Sequence, residues 1–328
     1  MPSSAAHFGR RAALLGGIGL PAVARAQLGT AERWPARPIR LIVPYAAGGT
    51  TDLLGRVVAD WLGSRLGRPI VVENRGGAGA TIGAALVAQA APDGHTLVIS
   101  NSGSHGISPH IYPNPGYDPL RDFTHIALIA QTPHALLVNP AHPAESLSGF
   151  VEHMRRAGEI RFAVSGIGAS SHLLGVRLGL ATGIPVEPVA YRGAGPAAAD
   201  VIAGVVPALF DSVPSGVGHV RNGSLRALAT SGAVRSRTLP AVPTLREAGI
   251  DIVSASWFGV SGPRGLPEPI LQRLTAEMRA MLADPETAAR LTALGSEALA
   301  DTPEDYAGFV ASELQIWEPI VRAAGVRL

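Results

Sequence analysis

The chain has 328 residues, enough for roughly two domains, and its 47% hydrophobic content can fill well-packed cores. It has no cysteine, and all 27 basic residues are arginine, which excludes thiol catalysis, Cys-type zinc or iron–sulfur sites, a Walker-type phosphate loop and lysine Schiff-base chemistry. Aromatic residues are only 5% of the chain, too few for platforms that stack single-stranded nucleic acid.

The N-terminus reads as a targeting segment. Arg10-Arg11 precedes an apolar run from Ala12 to Ala24, and Ala24-Arg25-Ala26 supplies a small-x-small cleavage site before Gln27. The run is too short to span a bilayer and fits an export signal over 1–26. The twin arginine suits the folded-export route, but Ala13 stands where a bulky apolar residue is usual, so ordinary secretion stays equally open. Three basic residues and no acid fall in this segment, leaving 24 basic residues against 25 acids in the mature chain. The high overall pI is therefore no sign of nucleic-acid binding. No later run is long and apolar enough for a membrane span.

From Ile39 to Pro44 a β-branched run predicts a strand, followed by a glycine loop and a helix carrying Leu53, Leu54, Val57, Val58, Trp61, Leu62 and Leu66 at helical period. A second strand covers 69–73, a glycine-rich turn 74–79, a small-residue helix 80–91 and a third strand 96–99. This β-α-β-α-β order predicts a parallel, right-handed wound sheet. Ser100 to Gly106 forms a polar exit at the end of the third strand, and 125–139 reads as a long extended crossing into a second unit.

The second unit repeats the pattern. Helix 147–156, strand 161–164, helix 173–181, strand 186–190, helix 197–203, strand 207–210 and strand 225–230 follow in order. Residues 254–259 read as the return crossing, and helices are expected over 268–282, 285–294 and 303–324, the last capped by Thr302. The last helix is expected to pack back on the first unit. The units are thus 27–130 with 255–328, and 131–254. Three strand-to-helix loops of one chemical type, shared between the units, predict one cleft. A glycine loop entering a helix is a ready anion site, because the free N–H groups and positive end of the helix dipole face it.

Several stretches together resemble one known family, the Bug-type (TctC-like) periplasmic receptors of tripartite tricarboxylate transporters. They are Pro38 to Tyr45 with Gly48-Gly49 and Asp52, Val72-Glu73-Asn74-Arg75 with Gly77-Ala78-Gly79, and Pro92 to Leu97. Tyr117-Asp118-Pro119 with Asp122-Phe123, Gly166-x-Gly168 with His172-Leu173, Tyr191-Arg192-Gly193 and Arg226 to Ala229 continue the match. Leu239-Pro240, Val242-Pro243-Thr244, Glu247-Ala248-Gly249, Trp257, Trp317 and Ala324-Gly325 carry it to the end of the chain. The resemblance implies an α/β fold of the two-lobed periplasmic-binding-protein clamshell type (type II-like), each lobe a wound sheet flanked by helices. It implies a small carboxylate ligand held in the cleft by loop backbone groups, delivery to membrane transporter subunits, and no cofactor. A secreted α/β hydrolase, or a receptor serving a signalling kinase, are the alternatives.

Candidate binding residues follow from the loops. The first loop offers Tyr45, Ala47, Gly48, Gly49 and Thr51, with Asp52 fixing the loop or meeting a ligand amine. Ser102 and Ser104 offer hydroxyls from the third-strand exit. The opposite unit offers Ser165, Gly166, Gly168, Ser170 and Ser171, and His172 either donates to the ligand or is a structural histidine. Tyr191 and Arg192 stand at a strand end, where Arg192 holds a second carboxylate or a surface ion pair; Asp211 can meet a ligand amine or hydroxyl. Motifs for other chemistry are poor. Gly166-x-Gly168-x-x-Ser171 lacks the third glycine of a dinucleotide fingerprint, no Gly-x-Ser-x-Gly elbow occurs, and His105 and His110 lack metal-ligand company.

Overall fold

The computed structural model describes residues 34–299 and 303–326; the expected export signal and the Thr302 cap lie outside the described residues. Strand β1 (Ile39–Val43) is almost entirely buried, as a β-branched strand covered on both faces should be. It feeds α1 (Thr50–Leu66), which ends at Gly67 in the left-handed conformation. Next come β2 (Ile70–Asn74), a 3-10 turn at Ala78–Ala80, α2 (Thr81–Ala88) and β3 (Thr96–Asn101). β1 pairs in parallel with both β2 and β3, giving the wound order that the sequence predicts.

The polar exit of β3 is not an open loop. Ser102–Ile107 winds into a π-helix, started by a reciprocal cap between Asn101 and Ser104, and leads into the short α3 (Ser108–Ile111). β4 (Phe123–Val138) is the long crossing, a single strand of 16 residues. From Phe123 to Pro133 it pairs with β9 (Ala255–Pro263), and from His134 to Val138 with β7 (Ala208–Ser212) and β8 (Arg226–Thr230). β9 lies antiparallel between β3 and β4, so the sheet is mixed where an all-parallel one is expected. The return segment is itself a strand, and it fills the gap that a purely wound unit would leave beside β3. The strand order is β2-β1-β3-β9-β4-β7-β5-β6.

The second half contains α4 (Leu147–Ala157), β5 (Ile160–Val164), α5 (Ser170–Thr182), β6 (Val186–Ala190), α6 (Ala194–Ile202) and α7 (Val213–Arg221). Helices α5 and α6 start three residues ahead of their predicted starts, because Ser170-Ser171 and Gly195-Pro196 read as loop but suit a first helical turn. Period-two alternation sorts the core. Leu136, Val138, Ala208 and Phe210 face one layer with Phe150 and Phe162; Ala135, Leu137 and Leu209 face the other with Val201 and Val217.

The C-terminal part is α8 (Glu268–Ala283), α9 (Pro285–Leu294), the short β10 (Glu297–Ala298) on the edge of β4, and α10 (Pro303–Ala323). Tyr306 of α10 packs on Leu128 and Trp257, and its hydroxyl bonds Ser100 at 2.6 Å. Trp317 packs on Ile107, Ile111 and Leu173. The indole N–H groups of Trp257 and Trp317 both donate to the Glu313 carboxylate, at 2.7 and 2.9 Å. Helix α10 thereby fixes the π-helix and β9 from behind. Among the described residues no helix is long and apolar enough to cross a membrane.

Candidate functional site

The C-terminal ends of β1, β3, β5 and β7 meet around one small cavity of about 40 Å³, where an open α/β sheet places its ligands. Of the predicted residues, Tyr45, Gly49, Thr51, Ser102, Ser165, Ser170, Ser171 and Asp211 line it. Thr50, Asn101, Gly103, Ala169, Ala194, Ser212, Ser256 and Phe258 complete the wall and were not predicted. No arginine is among these residues.

Four helices begin at this cavity. The N-caps of α1 (Gly49), α5 (Ala169), α6 (Gly193) and α7 (Ser212) make no side-chain cap, so the amides of the first one or two helical residues are left as orphan donors, while Asp52 N and His172 N fold back on the Gly49 and Ala169 carbonyls and Ser215 N donates to the Thr50 hydroxyl. Gly49, Ala169, Ala194 and Ser212 bring those four starts to the wall. Four positive dipole ends with a set of amides and hydroxyls are a donor set able to hold an anion without a formal cation. Asn101 adds to it. Its Oδ1 accepts from Ser104 N at 3.1 Å, while its Nδ2 has no partner among the described residues.

The loops that carry these groups touch across the cleft. Ala46 N donates to the Arg192 carbonyl at 2.7 Å, and the Thr50 hydroxyl donates to Ser215 Oγ at 3.1 Å. Glycine makes the approach possible in two ways. Gly48 needs its φ of +88°, whereas Gly49 is extended, at φ −87°, and needs space: a Cβ there would lie 3.2 Å from the Ala194 Cβ. The positive φ is therefore at Gly48, and close packing is the constraint at Gly49.

Asp211 is the one acid on the wall. Its carboxylate accepts from the Ser215 hydroxyl and from Ser212 N at 2.8 Å. Burial nevertheless drives its pKa up to about 7, against the anion-favouring pull of those two donors. His134 stands behind the wall, with Nε2 2.9 Å from both Ser170 Oγ and Ser256 Oγ, and burial drives its imidazole down to about 4. It is a neutral brace joining α5 to β9.

The remaining predicted residues do not line this cavity. Ala47 and Gly48 back onto Gly195. Asp52 accepts from Gly48 N, Asn74 and Arg56; burial opposes its charge, but these three donors together hold its pKa below the usual value. Ser104 is spent in the cap of the π-helix and on His105. Gly168 N donates to His172 Nδ1 at 3.4 Å, and burial lowers that imidazole to about 4. Gly166, Tyr191 and Arg192 line a neighbouring chamber. Ser256 and Phe258 carry no local signal: they reach the cavity only because β9 inserts antiparallel beside β3. Asn101 and Ser212 could have been found, as polar residues ending buried strands ahead of a helix. Among the described residues no group of three or more His, Cys, Asp or Glu side chains could hold a metal ion.

Comparison with known proteins agrees with this architecture. Residues 54–326 match the family described as the tripartite tricarboxylate transporter family receptor. Protein BugT of Bordetella pertussis is 36% identical over 302 residues, covering 91% of this chain and 93% of its own. The structure of R. palustris Rpa4515 with adipate superposes with a TM-score of 0.87 at 33% identity, covering 90% of this chain and 99% of that one. MatC from Rhodopseudomonas palustris with bound malate superposes with a TM-score of 0.83 at 34% identity, over 88% of this chain and 100% of that one. The fold is that of the periplasmic binding proteins, and the chain belongs to the tripartite tricarboxylate transporter receptor family.

Proposed function

We propose that this receptor captures a small carboxylate in the central cavity and hands it to the membrane subunits of a tripartite transporter. The observation that carries this reading is the convergence of four uncapped helix starts on a buried polar cavity with no arginine in its wall. Such a site suits a carboxylate, which accepts several N–H and O–H donors at once. Adipate and malate in the two superposed relatives are of this class. Micromolar affinity needs about 8 kcal/mol, within reach of about four charge-assisted hydrogen bonds at ~1.5–3 kcal/mol each after the costs of binding.

The chain is exported through its 1–26 segment and works as two lobes, 27–130 with 255–328 and 131–254, joined by β4 and the 254–256 segment. Ligand donors come from both lobes, so bound carboxylate favours the shut form. The receptor is not an enzyme. Ser170 touches His134, but the imidazole's other partners are the Ser231 hydroxyl, at 3.4 Å, and the Ser254 backbone, with no carboxylate to orient it or stabilise its cation. A base held near pKa 4 is also poorly matched to neutral pH.

Titration of the mature chain with a panel of small carboxylates tests the reading. Stoichiometric uptake, recovery of the ligand unchanged by mass spectrometry, and a smaller radius of gyration in solution scattering are expected. Turnover of the ligand, or binding of none of the panel, overturns it.

A further inference from the structure

His134 sits where two serine hydroxyls of the cavity wall meet. It is 1% exposed and stands on β4 at the point where that strand leaves β9 for β7. Ser170 is the first residue of α5, and Ser256 is carried by β9. Both line the cavity. Their hydroxyl oxygens lie 2.9 Å from His134 Nε2 and 2.5 Å from each other, and neither has another partner among the described residues.

The tautomer of the ring follows from its far side. Burial keeps the imidazole neutral, so one nitrogen carries a proton and the other a lone pair. Nδ1 faces the Ser231 hydroxyl, at 3.4 Å, and the Ser254 backbone. The Ser231 hydroxyl has one proton and gives it to the Ser254 carbonyl at 2.6 Å, while its oxygen accepts from His134 N at 2.9 Å. No group on this side is left to donate to Nδ1. Nδ1 therefore holds the ring proton, and Nε2 is a bare acceptor.

A bare Nε2 has one lone pair in the ring plane and takes one hydroxyl proton. The two serines bring two. One goes to Nε2; the other rests on the neighbouring serine oxygen until an anion in the cavity draws it over. We propose that His134 is a positioning residue that sets the number of hydroxyl donors at this corner: Ser170 and Ser256 together offer a bound carboxylate one proton, and either serine can supply it. The donor belongs to α5 and β9 jointly, and it exists only while both hydroxyls stand at the ring. This rests on the carboxylate reading of the central cavity.

The test is calorimetric titration with acetate, malate and adipate across a set of variants. Ser170→Ala and Ser256→Ala should each weaken binding by about tenfold, because the remaining hydroxyl turns to Nε2 and leaves the carboxylate one charge-assisted bond short. The double substitution should be no weaker than either single one. Adding His134→Leu to either single variant should regain most of the lost affinity, because the surviving hydroxyl is then free for the carboxylate. Adding it to the double variant should regain nothing. The leucine strands no buried donor, since the Ser231 hydroxyl still donates to the Ser254 carbonyl and accepts from the backbone N–H of residue 134. A histidine that merely held the wall together would make every one of these variants worse when removed. The serine cycle needs no change at His134 and decides between one shared donor and two even if His134→Leu does not fold. Losses that multiply to about a hundredfold in the double variant overturn the proposal, as two independent donors would add in free energy. A loss at one serine only, a loss at neither, or no regain with a folded His134→Leu overturns it too. Failure of all three carboxylates to bind the wild type overturns the central reading and this proposal with it, and is distinct from tight binding that is insensitive to the serines.

Discussion

Helices α4 and α9 begin far from the cavity, and helices α1 and α5 begin at it. The first pair is capped by its own sequence: the Ser146 side chain accepts from Gly149 N at 3.1 Å, and that of Asp284 from Thr287 N at 2.8 Å. The second pair has glycine and alanine at the same position, with extended backbone that a cap could use, and no cap. Helices α2 and α8 are uncapped too, so a missing cap alone marks nothing. What distinguishes the cavity is that four such starts share one wall. The starts of α4 and α9 satisfy donors with a side chain of their own, and the four starts at the cavity leave theirs facing one shared space.

The comparison breaks most severely where the backbone itself is blocked. In Gly49→Val the new side chain must enter the 3.2 Å gap to Ala194 at the start of α6. The loop can no longer close on the opposite start, and carboxylate affinity should fall about hundredfold or more, a loss of about 3 kcal/mol. Circular dichroism should show the fold retained. Wild-type affinity in Gly49→Val would reduce the glycine pair to a turn.

Asp211 breaks the pattern from the other direction, as an acid set among anion donors. Its pKa of about 7 in the folded state exceeds that of an unfolded aspartate, so the folded chain holds the extra proton between about pH 4 and 7. Stability therefore declines as pH rises through that window and levels off above it. Asp211→Asn should stabilise the protein at pH 8 by about 2–4 kcal/mol and change little at pH 4. An anionic ligand in the same cavity opposes the Asp211 charge, so wild-type affinity should weaken by up to about tenfold per pH unit above 7. In Asp211→Asn that slope should vanish. Parallel pH profiles for the two proteins would show that Asp211 does not face the ligand.

How much of this was legible in the sequence depends on how local the signal is. β1, β4, α8 and α9 carry long apolar patterns and stand within a residue or two of their predicted bounds. Helix α7 was missed because Pro214, Gly216 and Gly218 crowd a nine-residue segment with breakers, although Gly216 packs so closely on Leu137 that a Cβ would come within 2.7 Å. Gly49 and the serines at 165, 170 and 171 were legible as cavity-lining residues, because strand-to-helix loops have a local composition. Ser256 and Phe258 were not, because their place depends on pairing between β9 and strands more than a hundred residues earlier in the chain. The π-helix at Ser102–Ile107 had no signature either; its serines read as a loop until the cap with Asn101 turns them inward.

The smallest effect is also the most direct probe of the comparison, because it gives a cavity-facing helix the device of an outward-facing one. Ala169 has φ −71° and ψ 153°, the backbone of a competent N-cap, and is 3% exposed on the cavity wall. In Ala169→Ser the added hydroxyl is small enough for the wall and can accept from the orphan amides at the start of α5. The fold should gain about 1 kcal/mol, because donors left open in the empty protein acquire a partner. Binding should weaken by about fivefold, because the ligand must displace that cap. Ser146→Ala is the mirror image: removing the α4 cap should cost about 1 kcal/mol of stability and leave affinity unchanged. Thermal melts and calorimetric titration of the two variants read both quantities. Opposite signs in stability, with a binding change in Ala169→Ser alone, are expected if the cavity's helix starts hold donors in reserve. A gain in stability without any loss of affinity in Ala169→Ser would mean that the ligand does not use the α5 amides.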